Sequence, residues 1–243
     1  MSSFKTLFKL MFHYDIRDWS TLVFTFLFPI ALLLALVLSF KSYVPGVDIA
    51  SQISANVIAF GAAYVGIFAG ASHLALWREN GMLQTVRNFP LSWNVIILSQ
   101  AVVGTVVLLA QAVVLVVLGL IMGMVLKPTF LSGLLPLVLG YLLFFFLGVI
   151  IAMIIYSIAG VSILANIIIL PLGFIGGAMM PLNMLPSWVQ TIAPYTPLYH
   201  MREALSMMLI GSGTWPHAWL GVLYLTVGCI TLGLVSIYGF RWK

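Results

Sequence analysis

The sequence is short of charge over most of its length. The 74 residues between Lys127 and Arg202 contain no Asp, Glu, Lys or Arg, and neither do the 39 residues between Arg87 and Lys127. The 243-residue chain is 63% hydrophobic and only 6% charged. A water-soluble surface needs charged side chains, which are rarely buried unpaired, whereas a bilayer span needs about 20 apolar residues. We therefore predict a multi-pass protein of the cell (inner or plasma) membrane.

Other absences narrow the class of function. The sequence has no GxxxxGK[ST] pattern, so we expect no P-loop, no bound cofactor and no catalytic residue in this chain. It has no HExxH pattern and no pair of aspartates in its apolar runs, which argues against a membrane hydrolase and a metal site. No run carries a charged residue near its middle, where proton-driven transporters usually need one. The single Cys229 excludes an intramolecular disulfide.

The apolar residues fall into six runs, each long enough to cross a bilayer as a helix. A weak polar break at residues 156–162 separates the fourth run from the fifth. We predict an all-α integral membrane protein with one domain, 1–243, in which an interfacial helix (1–19) precedes a bundle of six transmembrane helices (20–240). The six runs lie at residues 20–40, 54–77, 93–126, 131–157, 162–180 and 216–240.

The distribution of lysine and arginine predicts the orientation. With the N-terminus inside, seven of these residues fall in cytoplasmic segments and three in outer segments. Cytoplasmic loops normally carry the excess, so we predict that both termini are cytoplasmic. The net charge of +5 suits contact with anionic membrane lipids better than binding of nucleic acid. The outer residues are Lys41, Lys127 and Arg202, and the cytoplasmic ones are Lys5, Lys9, Arg17, Arg78, Arg87, Arg241 and Lys243.

Residues 1–19 have the pattern of an amphipathic helix. Apolar side chains recur at i, i+3, i+4 and i+7, and basic ones recur every four residues on another face. We predict a helix on the cytoplasmic leaflet with its basic side toward phosphates and water. It anchors the chain, docks a cytoplasmic partner, or does both. The residues assigned to it are Phe4, Lys5, Leu7, Phe8, Lys9 and Met11.

The loop between spans two and three, residues 77–92, holds the one compact charged cluster between the runs. Met82, Val86 and Phe89 fit one helix face, and Pro90 disfavours helix at the residue before it. The loop is either a solvated turn or a short amphipathic helix that presses into a cytoplasmic protein. The contact residues in the second interpretation are Arg78, Glu79, Asn80, Gly81, Met82, Leu83, Val86, Arg87 and Phe89.

The segment between spans five and six, residues 181–215, is rich in proline and too apolar for a free loop. Two short helices fit it, at about 186–193 and 197–210, each with a proline in its first turn. We predict that they re-enter the outer leaflet or roof a cavity. The candidate residues of this roof are Pro181, Pro186, Pro194, Pro197, Arg202 and Glu203.

Pairs of glycines four residues apart occur at Gly66–Gly70, Gly119–Gly123 and Gly173–Gly177. Such spacing permits two helices to approach closely, but a glycine-rich chain produces several such pairs by chance. We predict only Gly173–Gly177 as an interface between two copies of the chain.

Four passages, taken in order, resemble the membrane subunit of type-2 ABC exporters, and the likeness covers nearly the whole chain. Each motif alone is unspecific, whereas their order on six spans is specific. One departure concerns Ser206, where family members often have Arg; Arg202, one turn earlier, is the candidate substitute. The passages are 14–19 with Pro29, 78–83 with 90–92, 176–182 with 185–188, and 193–198 with 203–205.

The resemblance implies a mechanism. Two copies of the chain, or one copy and a sister permease, would form the pathway, and two copies of a cytoplasmic ATPase would bind ATP and Mg²⁺. The segment Asn80 to Phe89 would be the coupling helix that contacts the ATPase, and the roof would be an outer gate. Spans two and five would line a path for a hydrophobic or amphipathic cargo such as a drug, a peptide or a lipid. The alternatives are a scaffold or immunity protein that binds a partner without pumping and, less favoured, a secondary transporter.

Overall fold

The computed structural model describes residues 2–17, 19–40, 49–81 and 92–239, and every regular element within these ranges is helical. Short 3₁₀ turns lie at Phe130–Gly133, Leu182–Met184 and Ala193–Tyr195. The α-helices are α1 (Ser2–Arg17), α2 (Trp19–Phe40), α3 (Ile49–Glu79), α4 (Trp93–Met122), α5 (Leu134–Ile154), α6 (Ile158–Ile175), α7 (Ser187–Ile192), α8 (Pro197–Ile210) and α9 (Trp215–Tyr238).

Five stretches in the described part of the chain are long and apolar enough to cross a membrane. They are α3, α4, α5 with its preceding 3₁₀ turn, α6 and α9. In α2 the apolar stretch Thr25–Phe40 is shorter than these. The all-α prediction is therefore confirmed with five candidate spans, whereas the first span, the six-span topology and its orientation stay predictions.

The long helices alternate in direction, so their ends collect on two faces. At the Glu79 face, the ends of α3, α5 and α9 lie beside the starts of α4 and α6, as shown by the hydrogen bond from Trp93 Nε1 to the Ser236 carbonyl (3.3 Å). At the Lys127 face, Val125 N donates to Ser51 Oγ (2.8 Å) at the start of α3. The Glu79 face and the Lys127 face are thus the two ends of the bundle.

The centre of the bundle is α3, because most of its residues are buried by neighbouring helices. It lies against α5 at backbone distance: a Cβ added at Gly66 or Gly70 would overlap the Tyr141 or Phe145 carbonyl of α5, and one added at Gly148 would overlap the Ile67 carbonyl of α3. The sequence alone did not decide whether the Gly66–Gly70 pair forms a helix contact. In the structure the pair lies at the contact between α3 and α5 of the same chain.

Polar side chains buried in α4 fasten it to its neighbours. Gln100 Nε2 donates to the Ala69 carbonyl of α3 (2.5 Å), and Gln111 Nε2 donates to the Thr25 carbonyl of α2 (2.7 Å). Pro29, four residues after Thr25, has no N–H to donate, so its position in α2 leaves that carbonyl without its usual helical partner. Gln111 supplies the missing donor, as bundled membrane helices with internal prolines require.

Several helix ends differ from the predicted runs by a few residues, and glycine accounts for two of the differences. The third run was expected to reach residue 126, but Gly123 has φ +108° and ends α4 at Met122. The fifth run was expected to reach residue 180, but α6 ends at Ile175, before Gly176 and Gly177. A break does separate the fourth run from the fifth, but it lies at residues 155–157 rather than 156–162, since α6 already begins at Ile158.

Candidate coupling and gating sites

At the Glu79 face, Arg78 and Glu79 lie in the last turn of α3 and contact the junction of α5 and α6. The Arg78 guanidinium donates to the Ala152 carbonyl in the last turn of α5. Glu79 Oε2 accepts a hydrogen bond from the backbone N–H of Ile158, the first residue of α6 (2.9 Å). The two residues, which were expected in the loop between spans two and three, therefore belong to the last turn of α3 and bind two other helix ends.

Arg78 also contacts the residues that join α5 to α6. Its guanidinium carbon lies 5.0 Å from the centre of the Tyr156 ring, within the range of a cation–π interaction. The Arg78 side chain is half-buried, whereas Glu79 is exposed.

The remaining coupling residues are described only at their start. Asn80 and Gly81 form a turn that closes α3, with Asn80 N donating to the Leu76 carbonyl (3.0 Å) and Gly81 at φ +68°. The predicted coupling residues that lie outside the described part of the chain are Met82, Leu83, Val86, Arg87 and Phe89.

The predicted amphipathic helix at the start of the chain is present as α1. Met11 is buried, Leu7 and Phe8 are half-buried, and Lys5 and Lys9 are exposed. The helix packs mainly against α4. Phe4 lies in α1, and its side chain is outside the described part. The basic face is thus free to meet lipid or a partner, and the role of this helix stays a prediction.

The α6–α9 connection, residues 176–214, contains the two predicted short helices, α7 and α8. Pro186 immediately precedes α7, and Pro197 is the first residue of α8. Thr196 caps α8, since its Oγ1 accepts from Tyr199 N (3.4 Å). Pro181 precedes one 3₁₀ turn, and Pro194 lies within another. Each proline therefore starts or tightens a turn.

The helix α8 runs beside the spans rather than over them. Its C-terminal end is held at the Lys127 face, where Lys127 N donates to the Leu209 carbonyl (2.9 Å). Near its other end, the His200 ring stacks on Tyr224, with ring centroids 4.1 Å apart. Tyr224 is nine residues into α9, or about 14 Å along the helix at 1.5 Å per residue. One end of α8 therefore reaches well into the bundle.

The charged pair of the predicted gate lies on α8. Arg202 is 6% exposed, donates from Nη2 to Glu203 Oε1, and has its guanidinium carbon 5.2 Å from the Tyr199 ring centre. Burial lowers the pKa of Arg202, and the Glu203 carboxylate and Tyr199 oppose that shift. Its Nε, also buried, makes no hydrogen bond in the structure. The pair places a largely compensated charge inside an apolar helix layer.

A cavity of about 710 Å³ lies where α9 and α5 meet the α6–α9 connection. Most of its lining is aliphatic, and His200 and Tyr224 supply polar atoms. Burial lowers the pKa of the His200 imidazole, while its hydrogen bond to the Pro194 carbonyl and the charge of Glu203 oppose that shift. Tyr224 donates from its hydroxyl to the Tyr195 carbonyl (2.9 Å), which holds the connection against α9.

Gly173 and Gly177 contact residues of their own chain. A Cβ at Gly173 would lie 2.8 Å from the Phe60 ring, and Gly177 has φ +72° in the turn that ends α6. The Gly177 carbonyl accepts a hydrogen bond from Asn56 Nδ2 of α3 (3.4 Å). Their contacts within the chain serve packing and a turn, and the interface between two copies stays a prediction.

Sequence reasoning missed a row of aromatic rings between α2 and α3. Phe28 of α2 packs against Phe60 and Tyr64, with ring centroids 5.9 and 5.5 Å apart, and Tyr64 packs against Phe68 at 4.6 Å. Phe28, Tyr64 and Phe68 are only half-buried, so the row is open on one side. The four-residue spacing of Phe60, Tyr64 and Phe68 was the available signal.

A sequence model of one family, described as ABC-2 type transporter, matches residues 2–210. The match covers both sites described above, from α1 through α8. No curated protein matches the chain. Together with the five apolar helices, the family match confirms a multi-pass membrane protein.

Proposed function

The chain belongs to the ABC-2 type transporter family, and from that premise we propose that it is the permease subunit of an ATP-driven exporter. Permeases of this family normally pair with a cytoplasmic ATPase, and the chain has no P-loop of its own. ATP and Mg²⁺ would therefore bind to the partner. The observation that carries the proposal is the family match over residues 2–210.

The proposed complex contains two copies of the ATPase and two permeases, either two copies of this chain or this chain with a sister subunit. Six spans with both termini inside would turn the Glu79 face toward the cytoplasm, where the ATPase binds. The α6–α9 connection would then lie at the outer side and act as the gate. Closure of the ATPases would rotate the two bundles between two discrete arrangements.

The cargo that suits this chain is hydrophobic or amphipathic. Tyr64, Phe68 and Ser72 of α3 follow one another at intervals of one turn, and all three are half-buried. The partly open side of α6 carries Ile163 and Ile167, which are more than half exposed. Aromatic and aliphatic surface of this kind favours an apolar group over a sugar or an ion.

The test is purification of the tagged chain from the membranes of the organism that makes it, without overexpression. We expect an ATPase with a P-loop to co-purify, and we expect the complex to hydrolyse ATP while the isolated chain does not. ATP hydrolysis by the isolated chain would contradict a partner-dependent mechanism. A stable partner without a P-loop would instead favour the scaffold or immunity protein.

A single substitution tests the coupling segment within that complex. We expect Arg87→Ala to lower ATP hydrolysis by the complex several-fold while the chain still inserts in the membrane, because a charged contact to the ATPase would be lost. Lys243→Ala is the matched control, since it removes another predicted cytoplasmic cation outside the coupling segment. Equal hydrolysis by the Arg87 variant and the unaltered complex would remove Arg87 from the coupling surface.

A further inference from the structure

The contacts of Arg78 and Glu79 match the polarity of the helix ends that they touch. The end of a helix is partially negative at its carbonyls, and the start is partially positive at its free N–H groups. Arg78 binds a carbonyl in the last turn of α5, and Glu79 binds the N–H of Ile158 at the start of α6. Both contacts therefore combine a charge with a helix end of the opposite sign.

These contacts are concentrated on one short piece of chain. Only residues 155–157 separate α5 from α6, and Tyr156 in that piece lies under the Arg78 guanidinium. The end of α3 is thus fastened at three adjacent points: the end of α5, the connecting residues and the start of α6. We name this arrangement the Arg78–Glu79 clip.

Within the described residues, α6 packs along one side only. Its buried residues are Val161, Ala165, Ile169 and Gly173, which recur every four residues and form a single stripe. Most other positions are half-buried or exposed, among them Ile163 and Ile167. A helix that packs along one stripe can slide or tilt against the helix beside it. Whether α6 follows a movement of α3 therefore depends on how its first turn is attached to α3.

The clip also lies next to the predicted coupling segment. The helix α3 ends at Glu79, and the turn at Asn80 and Gly81 leads directly into residue 82. The segment is joined to the bundle at two points, the last turn of α3, where both clip residues lie, and the start of α4. A displacement of the segment therefore acts on the clip directly.

We propose that Arg78 and Glu79 are positioning residues that make α6 follow the movement of α3. The inference rests on the proposed function, because it assumes that an ATPase moves the coupling segment. In this mechanism Glu79 acts on the start of α6 rather than on the ATPase. Without the clip, α3 still responds to ATP, and α6 does not.

The matched pair of variants is Glu79→Ala and Ser157→Ala. Both remove a hydrogen-bond acceptor from the first turn of α6, since Ser157 Oγ accepts from Gly160 N (3.2 Å). Only Glu79→Ala cuts the bond between α6 and α3. Amide hydrogen exchange on the full chain should show about fivefold faster exchange in the first turn of α6 for both variants, the effect expected from loss of a cap. Unchanged exchange in Glu79→Ala would overturn the clip.

The second measurement separates the clip from simple capping. In a Cys229→Ser background, the variant Ile167→Cys reports on α6 and the variant Ser72→Cys reports on α3. Maleimide labelling of the ATPase complex is compared with and without ATP and vanadate. We expect both reporters to respond with the clip intact, and in Ser157→Ala. In Glu79→Ala the Ser72 reporter should respond and the Ile167 reporter should not.

Each other result counts against the proposal. Loss of the α6 response in Ser157→Ala as well would show that Glu79 is only a cap. Loss of the ATPase from Glu79→Ala complexes would show that Glu79 contacts the ATPase directly. An α6 reporter that ignores ATP while the clip is intact would also overturn it. If no ATPase co-purifies with the unaltered chain, the proposed function fails, and hydrogen exchange alone decides whether the clip exists.

Discussion

The charge of Arg202 is almost completely buried, and two neighbouring side chains compensate it. The guanidinium is paired with its neighbour in sequence, Glu203, and lies over the Tyr199 ring. Adjacent residues on a helix do not normally face each other, so the pair forms because the long Arg202 side chain folds back. Removing one partner of such a pair leaves the other partly buried and uncompensated.

We predict that Arg202→Met lowers the melting temperature of the purified chain by about 2–8 °C, since it leaves Glu203 without its cation while keeping most of the apolar volume. Melting is followed by intrinsic fluorescence in detergent. The double variant Arg202→Met with Glu203→Gln should recover part of the loss. No recovery would show that the Arg202 stem, rather than its charge, carries the stability.

We predict that His200 makes the protein less stable in mild acid. Burial lowers the pKa of His200 in the folded chain below about 6.5, its value in an unfolded chain. As the pH falls below about 6.5, the unfolded chain binds a proton that the folded chain does not, so stability is lost. The groups that face the ring are Glu203, Tyr199 and Tyr224.

The measurement for His200 is the melting temperature between pH 8 and pH 5. The unaltered chain should lose more stability over this range than His200→Gln, which cannot take up the proton. Because the other three histidines are present in both proteins, the difference isolates His200. Parallel curves would contradict the prediction.

At the level of single residues, the sequence located charges better than it located their partners. Arg78 and Glu79 were singled out because charge is scarce, but the contacts at Ala152 and Ile158 join residues more than 70 positions apart. No periodicity within a helix reports such a contact. The row from Phe60 to Phe68 did have a local signal, but a four-residue spacing of aromatics more often reflects ordinary packing.

Among the helices, α2 has one backbone carbonyl without its helical hydrogen-bond donor, and a side chain of another helix supplies the donor. Pro29 interrupts the hydrogen bonding of α2, and Gln111 of α4 donates to the carbonyl that is left over. Hydrogen bonds between membrane helices contribute about 0.6 kcal/mol on average and up to about 2 kcal/mol. A carbonyl already deprived of its helical partner should lie at the upper end of that range.

We predict that Gln111→Leu lowers the melting temperature by about 2–6 °C in the unaltered chain and by less in a Pro29→Ala background. In that background residue 29 has an N–H that can donate to the Thr25 carbonyl, so the Gln111 hydrogen bond contributes less to stability. The four proteins form a double-mutant cycle. Equal losses in both backgrounds would show that Gln111 acts independently of the proline.

Helix positions were largely predictable from the sequence, and helix ends less so. The bounds of α8 agree with the predicted 197–210, because Thr196, Pro197 and Gly211 mark a start and an end by local chemistry. The start of α3 was placed at residue 54, five residues late, since Ser51 and Gln52 look like loop residues. In the structure they bind the Lys127 face, through Val125 N and Ser212 Oγ.

For the whole molecule, the side of the membrane on which α1 lies depends on α2. If α2 spans, Lys5 is on the same side as Asn80; if it does not, Lys5 is on the side of Lys127. The length of α2, 22 residues, is sufficient for a span. A comparison of the side of the membrane on which Lys5, Asn80 and Lys127 lie therefore tests the six-span arrangement.

We predict that Lys5→Cys and Asn80→Cys, each in a Cys229→Ser background, react with a membrane-impermeant maleimide only after cells are permeabilised. Lys127→Cys should react in intact cells, because it lies at the opposite face. Reaction of Lys5→Cys without reaction of Asn80→Cys in intact cells would show five spans. Reaction of Asn80→Cys in intact cells would reverse the orientation.

The backbone contact between α3 and α5 restricts where anything can pass. Gly66, Gly70 and Gly148 leave no side chain between the two helices, so no wall of a channel can form there. A route through the middle of one chain would have to separate the two most closely packed helices of the bundle. In the proposed exporter, this contact favours a route along the perimeter of the chain. A pathway there would need a second permease to supply its other side.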